Sequence, residues 1–163
     1  MIRLEPLTGH HDRSGFDCGV QALNLWLRQT ALQHQGKGIS RTFVAVPAGA
    51  KEGAEPGGIL GFHALTSAFV LMGDLPPRQA KRYPRQIPVT RLGRLATRVD
   101  VQGQGLGRLL LADAVSRARM AAQAVGSAGL FVDAKDAAAA RFYQRYGFIA
   151  AVDAPSKLFL PLW

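Results

Sequence analysis

The order of elements predicts one α/β or α+β domain built around a single sheet. Three observations carry this. An apolar, strand-like segment from Arg91 to Val101 runs into the loop Gln102-Gly103-Gln104-Gly105-Leu106-Gly107-Arg108, and then into a strongly helical segment from Leu109 to Ala124. A second strand–helix unit follows. Leu130-Phe131-Val132-Asp133-Ala134 reads as a buried strand, and Asp136 can cap a helix opening on Ala137 to Ala140, a run of the best helix former. Finally, no repeat, low-complexity tail or linker interrupts the 163 residues, so residues 1–163 are expected to form one domain.

The remaining elements follow in chain order. Ile2 to Leu4 suits a first strand. Val20 to His34 reads as a helix, because Val20, Leu23, Trp26, Leu27 and Ala31 fit one face of a 3.6 period; Gly36-Lys37-Gly38 ends it. Arg41 to Val46 is β-branched and aromatic, hence a strand. Residues 47 to 58 are expected to be a polar, mobile hairpin connection. Ile59 to Val70 is a further strand, with a bend placed near Thr66-Ser67. Asp74-Leu75-Pro76-Pro77 breaks the chain, and a short helix follows towards Tyr83. Pro84 and Pro88 frame an irregular link into a strand beginning at Val89. The helix after Asp136 carries Phe142 and Tyr143 and stops near Tyr146-Gly147, where Gly147 suits a left-handed end. Phe148 to Val152 is extended again.

The glycine loop is the stretch richest in chemistry. A strand that ends in glycines and opens a helix leaves backbone N–H groups without intrahelical acceptors, at the positive end of the helix dipole. That is a seat for a phosphate. The dinucleotide pattern G-x-G-x-x-G fails, because the glycines fall at 103, 105 and 107 and position 108 is Arg108. The acidic residue expected about 20 positions later is also missing. No Gly-Lys-Ser/Thr follows, which removes the triphosphate P-loop. A plain glycine turn before a helix is the other reading of this stretch taken alone.

What remains, Q-x-x-G-x-G from Gln102 to Gly107, resembles motif A of the GNAT acetyltransferases. The string Phe142-Tyr143-Gln144-Arg145-Tyr146-Gly147-Phe148 resembles the F-Y-x-x-[FY]-G-F signature of the same superfamily. The resemblance implies a GNAT fold: a single domain with a mixed, mostly antiparallel central sheet, splayed at the acetyl-CoA site and flanked by helices. It implies that the loop holds the pyrophosphate of acetyl-CoA, the acetyl donor. It also implies that Tyr143 lies beside the CoA sulfur as general acid. The competing reading of Tyr143 is a core aromatic. Adjacent helix positions face different ways, so Phe142 and Tyr146 are expected to pack inward and Tyr143 to serve the chemistry.

Composition sets further bounds. Hydrophobic residues at 48% are those of an ordinary globular chain. There is no apolar run near the roughly 18 residues a membrane span needs, and Met1-Ile2-Arg3-Leu4-Glu5-Pro6 lacks a signal-peptide core. The single cysteine, Cys18, excludes an internal disulfide and fits a reducing cytoplasm; as a thiol it is expected to be buried filler. His10-His11 sit in a polar turn, His34 ends a helix and His63 lies in a strand, so no metal spacing arises. No G-x-S-x-G elbow surrounds Ser40, Ser67, Ser116 or Ser127. The net charge is +9, and Arg supplies most of the cations. Arg78, Lys81, Arg82, Arg85, Arg91, Arg94 and Arg98 fall between Asp74 and Asp100, where no acidic residue occurs. Such a window suits an anionic partner, nucleic acid included; the alternatives are a solubilising surface or simple attraction of an anionic cofactor.

The N-terminal half narrows the resemblance. Phe16-Asp17-Cys18-Gly19, Leu23-Asn24-x-Trp26-Leu27, Gln35-x-x-x-Ile39-Ser40-Arg41-Thr42-Phe43-Val44, Gly61-Phe62-His63-Ala64-Leu65 and Pro88 to Ala96 are similar to the TacT-type GNAT toxins of toxin–antitoxin pairs. The similarity covers about Phe16 to Leu160. It implies acetylation of the α-amine of aminoacyl-tRNA, a block of translation, a ribbon–helix–helix antitoxin partner and a homodimer. One departure is visible. Members commonly read Leu-Ala-Val-Asp where this chain has Leu95-Ala96-Thr97-Arg98, a charge reversal that bears on substrate preference.

By that resemblance, Leu95, Ala96, Thr97, Gln102, Gly103, Gln104, Gly105, Leu106, Gly107, Arg108, Asp136 and Phe142 are the candidate donor-binding residues. Acetyl-CoA is expected between the strand around Leu95 to Val99 and that around Leu130 to Ala134, with backbone groups of Leu95 to Thr97 on its pantetheine and thioester. The seven cations are the candidate tRNA contacts. No metal is expected. Two rivals stand: a GNAT enzyme acting on a protein or small-molecule amine, and a non-enzymatic module with a degenerate donor site.

Overall fold

The computed structural model describes residues 1–48 and 58–163, so the expected hairpin connection lies, over residues 49–57, outside the described residues. Among the described residues, seven strands form one sheet: β1 (Ile2–Pro6), β2 (Arg41–Pro47), β3 (Gly61–Leu71), β4 (Gln86–Thr97), β5 (Gly129–Asp133), β6 (Ile149–Ala150) and β7 (Lys157–Pro161). Their order is β1-β2-β3-β4-β5-β7-β6. The helices are α1 (Gln21–Gln29), α2 (Ala31–Gly36), α3 (Pro77–Ala80), α4 (Leu106–Ala124) and α5 (Ala137–Arg145). The chain divides into two compact units, Met1–Thr66 with Arg94–Ala114 and Ser67–Gly93 with Val115–Trp163.

In the first unit, β1 and β2 pair antiparallel from Ile2↔Pro47 to Pro6↔Phe43. The β2–β3 pair is also antiparallel, from Arg41↔Leu65 to Ala45↔Gly61. The apolar stripe of α1 buries Trp26 and Leu27 against Phe16, Val44, Phe62 and Ala96. Trp26 stacks on Phe62, with ring centroids 6.0 Å apart. At the edge of this unit His11 is buried. Its Nδ1 accepts the Thr8 backbone N–H at 3.0 Å, so the proton must sit on Nε2, which donates to Glu5 at 2.7 Å.

In the second unit, β4 and β5 pair parallel at Thr90↔Leu130 and Arg91↔Phe131. β5 pairs antiparallel with β7, and β7 with β6. Val70, Leu75, Ala80, Ile87, Val89, Phe131 and Phe159 form its core. Lys157 on β7 donates to Asp74 at 2.7 Å and ties the 3-10 turn Met72–Asp74 to the sheet.

Several boundaries depart from the sequence reading. The helix expected over Val20 to His34 breaks at Thr30, whose backbone lies at φ −120° and ψ −35°. A β-branched residue loses χ1 freedom in a helix, which makes Thr30 a natural weak point. The strand expected from Val89 begins at Gln86, with Pro88 inside it. Near a strand start the missing proline N–H costs one ladder bond at most. The expected extended segment Arg91 to Val101 leaves the strand after Thr97 and closes as a 3-10 turn, Val99–Val101. Strand β7 was not anticipated.

Among the described residues, Glu5, Asp12, Asp17, Asp74 and Asp100 are held below their ordinary pKa. The largest causes are hydrogen bonds from His11, the Ser14 side chain, the Gly19 N–H, Lys157 and Arg98 respectively. A depressed folded pKa adds stability above the unfolded value, 3.8 for Asp and 4.5 for Glu, and that stability is lost as pH falls through the folded value. The melting temperature is therefore expected to hold down to about pH 5 and to drop below about pH 4. A thermal melt series showing no drop as pH falls below about 4 would contradict these pairings.

Candidate active site

The glycine loop is shaped by backbone conformation. Gly103 and Gly105 have φ of +81° and +84°. A Cβ at either would meet nothing within 4 Å, so glycine is required for the dihedral and not for space. An L-residue there would be strained by about 1–2 kcal/mol. Gly107 and Arg108, expected in the loop, belong to the first turn of α4, which starts at Leu106. Leu106 is buried against Ala45 and Leu110 and anchors that start. The first helical bond runs from the Leu109 N–H to the Gly105 carbonyl at 3.2 Å. The N–H groups of Leu106, Gly107 and Arg108 are thus the ones a helix start leaves for an outside acceptor. With exposed glycines before them and an exposed Arg108 among them, these residues fit a pyrophosphate.

Gln102 is exposed, but its amide N–H groups turn back onto the protein. Its Nε2 donates to the Cys18 carbonyl at 3.2 Å and to the Thr97 carbonyl at 3.0 Å. Sequence spacing gave no sign of this tie to a residue 84 positions away. At the end of β4, Ala96 is buried and Leu95 and Thr97 are half-buried. Leu95 to Thr97 and Gln102 to Arg108 all belong to the first unit.

Asp136, Phe142 and Tyr143 belong to the second unit. The Asp136 carboxylate accepts the Ala139 N–H at 2.8 Å and caps α5, as its position before four alanines implied. Gly147 takes φ +96° at the helix end. The expected division of aromatics is inverted. Tyr143 is 8% exposed, while Phe142 and Tyr146 are half-buried. Phe142 and Tyr146, one turn apart, pair with each other at 5.2 Å, whereas Tyr143 packs on Phe148 at 5.4 Å. Burial pushes the Tyr143 phenol up to about 12. It is a neutral, protonated hydroxyl at every physiological pH.

The cationic window separates into two sets. Arg78, Lys81, Arg82 and Arg85 are exposed on α3 and the segment after it. Of these, Arg82 lies 5.8 Å from the Tyr83 ring centroid, and the other three cations are engaged more closely. Arg91 pairs with Asp133. The Arg94 guanidinium lies 4.1 Å over the Trp26 ring. Arg98 donates to both oxygens of Asp100, at 2.6 and 3.0 Å. The charge reversal at Arg98 is therefore compensated two residues on. Among the described residues no cluster of three or more His, Cys, Asp or Glu could hold a metal ion, and no helix is long and apolar enough to cross a membrane. Cys18 is buried and free.

Residues 50–150 match the model of the acetyltransferase (GNAT) domain. The chain belongs to the GNAT acetyltransferase family. The loop at Gln102 to Gly107 and the Phe142 to Phe148 string both lie within the matched span. The GNAT chain is 35% identical over 149 residues to the tRNA-acetylating toxin of Mycobacterium tuberculosis (strain ATCC 25618 / H37Rv), covering 91% of this chain and 85% of that one. It superposes on a crystal structure of a tyrosine-to-phenylalanine mutant of KacT with a TM-score of 0.90 at 35% identity, covering 99% and 95% of the two chains. AtaT complexed with acetyl-methionyl-tRNAfMet gives a TM-score of 0.87 at 33% identity, with the same coverage. A mutant AtaT has also been solved bound to the C-terminus of the antitoxin AtaR, with a TM-score of 0.82 at 32% identity over 99% and 93% of the chains.

Proposed function

We propose that this acetyltransferase uses acetyl-CoA to acetylate the α-amine of aminoacyl-tRNA, and so acts as the toxin of a toxin–antitoxin pair. The observation that carries the substrate half is the exposed Arg78, Lys81, Arg82 and Arg85, in a stretch where no carboxylate occurs between Asp74 and Asp100. A polyanion is attracted there, and cationic amines such as polyamines are repelled. The likeness to proteins named or solved with acetylated tRNA supports the same reading.

The roles of the residues follow from their chemistry. The N–H groups from Gln104 to Arg108 hold the donor's pyrophosphate, and Arg108 adds a charged contact. Backbone N–H groups of Leu95 to Thr97 line the pantetheine, and one polarises the thioester carbonyl, an effect commonly worth about 3 kcal/mol. An unperturbed α-amine has a pKa near 8, so a large share is already neutral and attacks without a strong base. As the C–S bond breaks, the Tyr143 hydroxyl gives its proton to the sulfur; the amine loses one to solvent, and solvent restores the phenol. The enzyme is proposed to work in the cytoplasm as a homodimer, silenced by a ribbon–helix–helix antitoxin. Its partner half rests on the AtaT–AtaR likeness.

The test is transfer of radiolabelled acetyl from acetyl-CoA to bulk charged tRNA, with deacylated tRNA as control. Label confined to the charged pool is expected. Donor binding without transfer to charged tRNA would shift the reading to a protein or small-molecule amine.

A further inference from the structure

The turn at residues 17–19 grips the donor loop from behind. Asn24, on the first turn of α1 and 4% exposed, fixes that turn. Its Oδ1 accepts the Cys18 N–H at 2.9 Å, and its Nδ2 donates to Asp17 Oδ1 at 2.9 Å. The amide orientation is unambiguous, because the backbone N–H can only donate and a carboxylate only accept. Asp17 Oδ1 also accepts the Gly19 N–H at 2.9 Å. Gly19 has φ +86°, and a Cβ there would stand 3.3 Å from Val99 Cγ1. Held this way, the turn presents two carbonyls to the segment that leads into the loop. The Asp17 carbonyl accepts the Val99 N–H at 2.9 Å, and the Cys18 carbonyl accepts Gln102 Nε2 at 3.2 Å. Gln102 then reaches the Thr97 carbonyl at the end of β4. All of these residues lie within one unit.

We infer that Asn24, Asp17 and Gln102 are positioning residues that hold the loop before Leu106 in its donor-binding conformation. The Asn24 amide bonds the turn at residues 17–19, and the Gln102 amide N–H groups bond the Cys18 and Thr97 carbonyls. A loop carrying two glycines at positive φ has many alternative conformations, and each one populated dilutes the competent state. Apparent affinity falls in proportion to the competent fraction. If losing the brace leaves about a tenth of the molecules competent, the Kd rises about tenfold. This inference rests on the proposed acetyl-CoA site.

Calorimetric titration of the ligand-free protein with acetyl-CoA, beside thermal melts, tests it. Wild type is expected to bind. Gln102→Met removes both donated hydrogen bonds at nearly constant volume, and is expected to weaken binding about tenfold or more with little change in ligand-free melting temperature. Gln102→Arg restores N–H donors for both carbonyls and is expected to recover most of the affinity. Asn24→Asp keeps the acceptor for Cys18 but faces the Asp17 carboxylate with a second one, and is expected to weaken binding likewise. Wild type failing to bind would overturn the donor site itself. Wild type binding while Gln102→Met binds equally well would overturn only the brace.

Discussion

Tyr143→Phe is expected to slow acetyl transfer by about a hundredfold or more, the usual worth of a positioned general acid. Donor affinity should stay near wild type, because the pyrophosphate contacts come from backbone groups of another element. The fold should also survive: the substitution removes one oxygen from a side chain already packed on Phe148 and Phe142. The raised phenol pKa adds a second signature. Since burial holds the proton up to about 12, the profile of kcat/KM against pH should climb as the amine deprotonates near 8 and show no alkaline descent before about pH 10. A steady-state comparison of the two proteins across that range checks both points. Turnover of the variant at the wild-type rate would remove Tyr143 from the proton transfer.

Gly129→Ala is expected to cost stability on the order of 3 kcal/mol, the upper end for overpacking a closed core. Gly129 opens β5, opposite Pro161 on β7. A Cβ there would stand 2.4 Å from the Leu160 carbonyl oxygen and 2.5 Å from the Phe159 ring. The carbonyl belongs to the sheet backbone and the ring is fully buried, so neither can withdraw. For a chain of this size each kcal/mol lowers the melting temperature by about 2–4 °C, so a drop of about 6–12 °C should be read by calorimetry. Gly126→Ala, whose Cβ would meet nothing within 4 Å, is the matched control. Equal melting temperatures for the two variants would refute the close approach.

Legibility in the sequence tracked how local the physics is. The loop at Gln102 to Gly105, the Asp136 cap and the Gly147 stop were readable because each is decided by residues within a few positions. The start of α4 was misplaced because glycine at 107 looked like loop, although its dihedral is ordinary helix. The break at Thr30 was hidden by an apolar period that α1 and α2 continue across it. Strand β7 escaped because Leu158 and Phe159 are both buried, which erases the alternation of a half-exposed strand. Tyr143 was assigned its role through the family motif, and its burial against Phe148 contradicts the simple division of aromatics into core and site. The partners of Arg91 and Arg98 were unreadable as such. A charge count sees seven cations and no acids between Asp74 and Asp100, yet Asp133 and Asp100, outside that stretch, neutralise two of them.

The insertion of β7 between β5 and β6 governs when the enzyme can exist during its own synthesis. β6 precedes β7 in the chain but joins the sheet only through it. While a ribosome is still making Lys157–Pro161, β5 offers an open edge on that side and α5 has no completed sheet to rest on. An unfinished copy is therefore a strand-edge intermediate of the kind that aggregates or is degraded. Catalytic competence therefore waits on Lys157–Pro161, the strand that closes the β5 edge and brings β6 into the sheet.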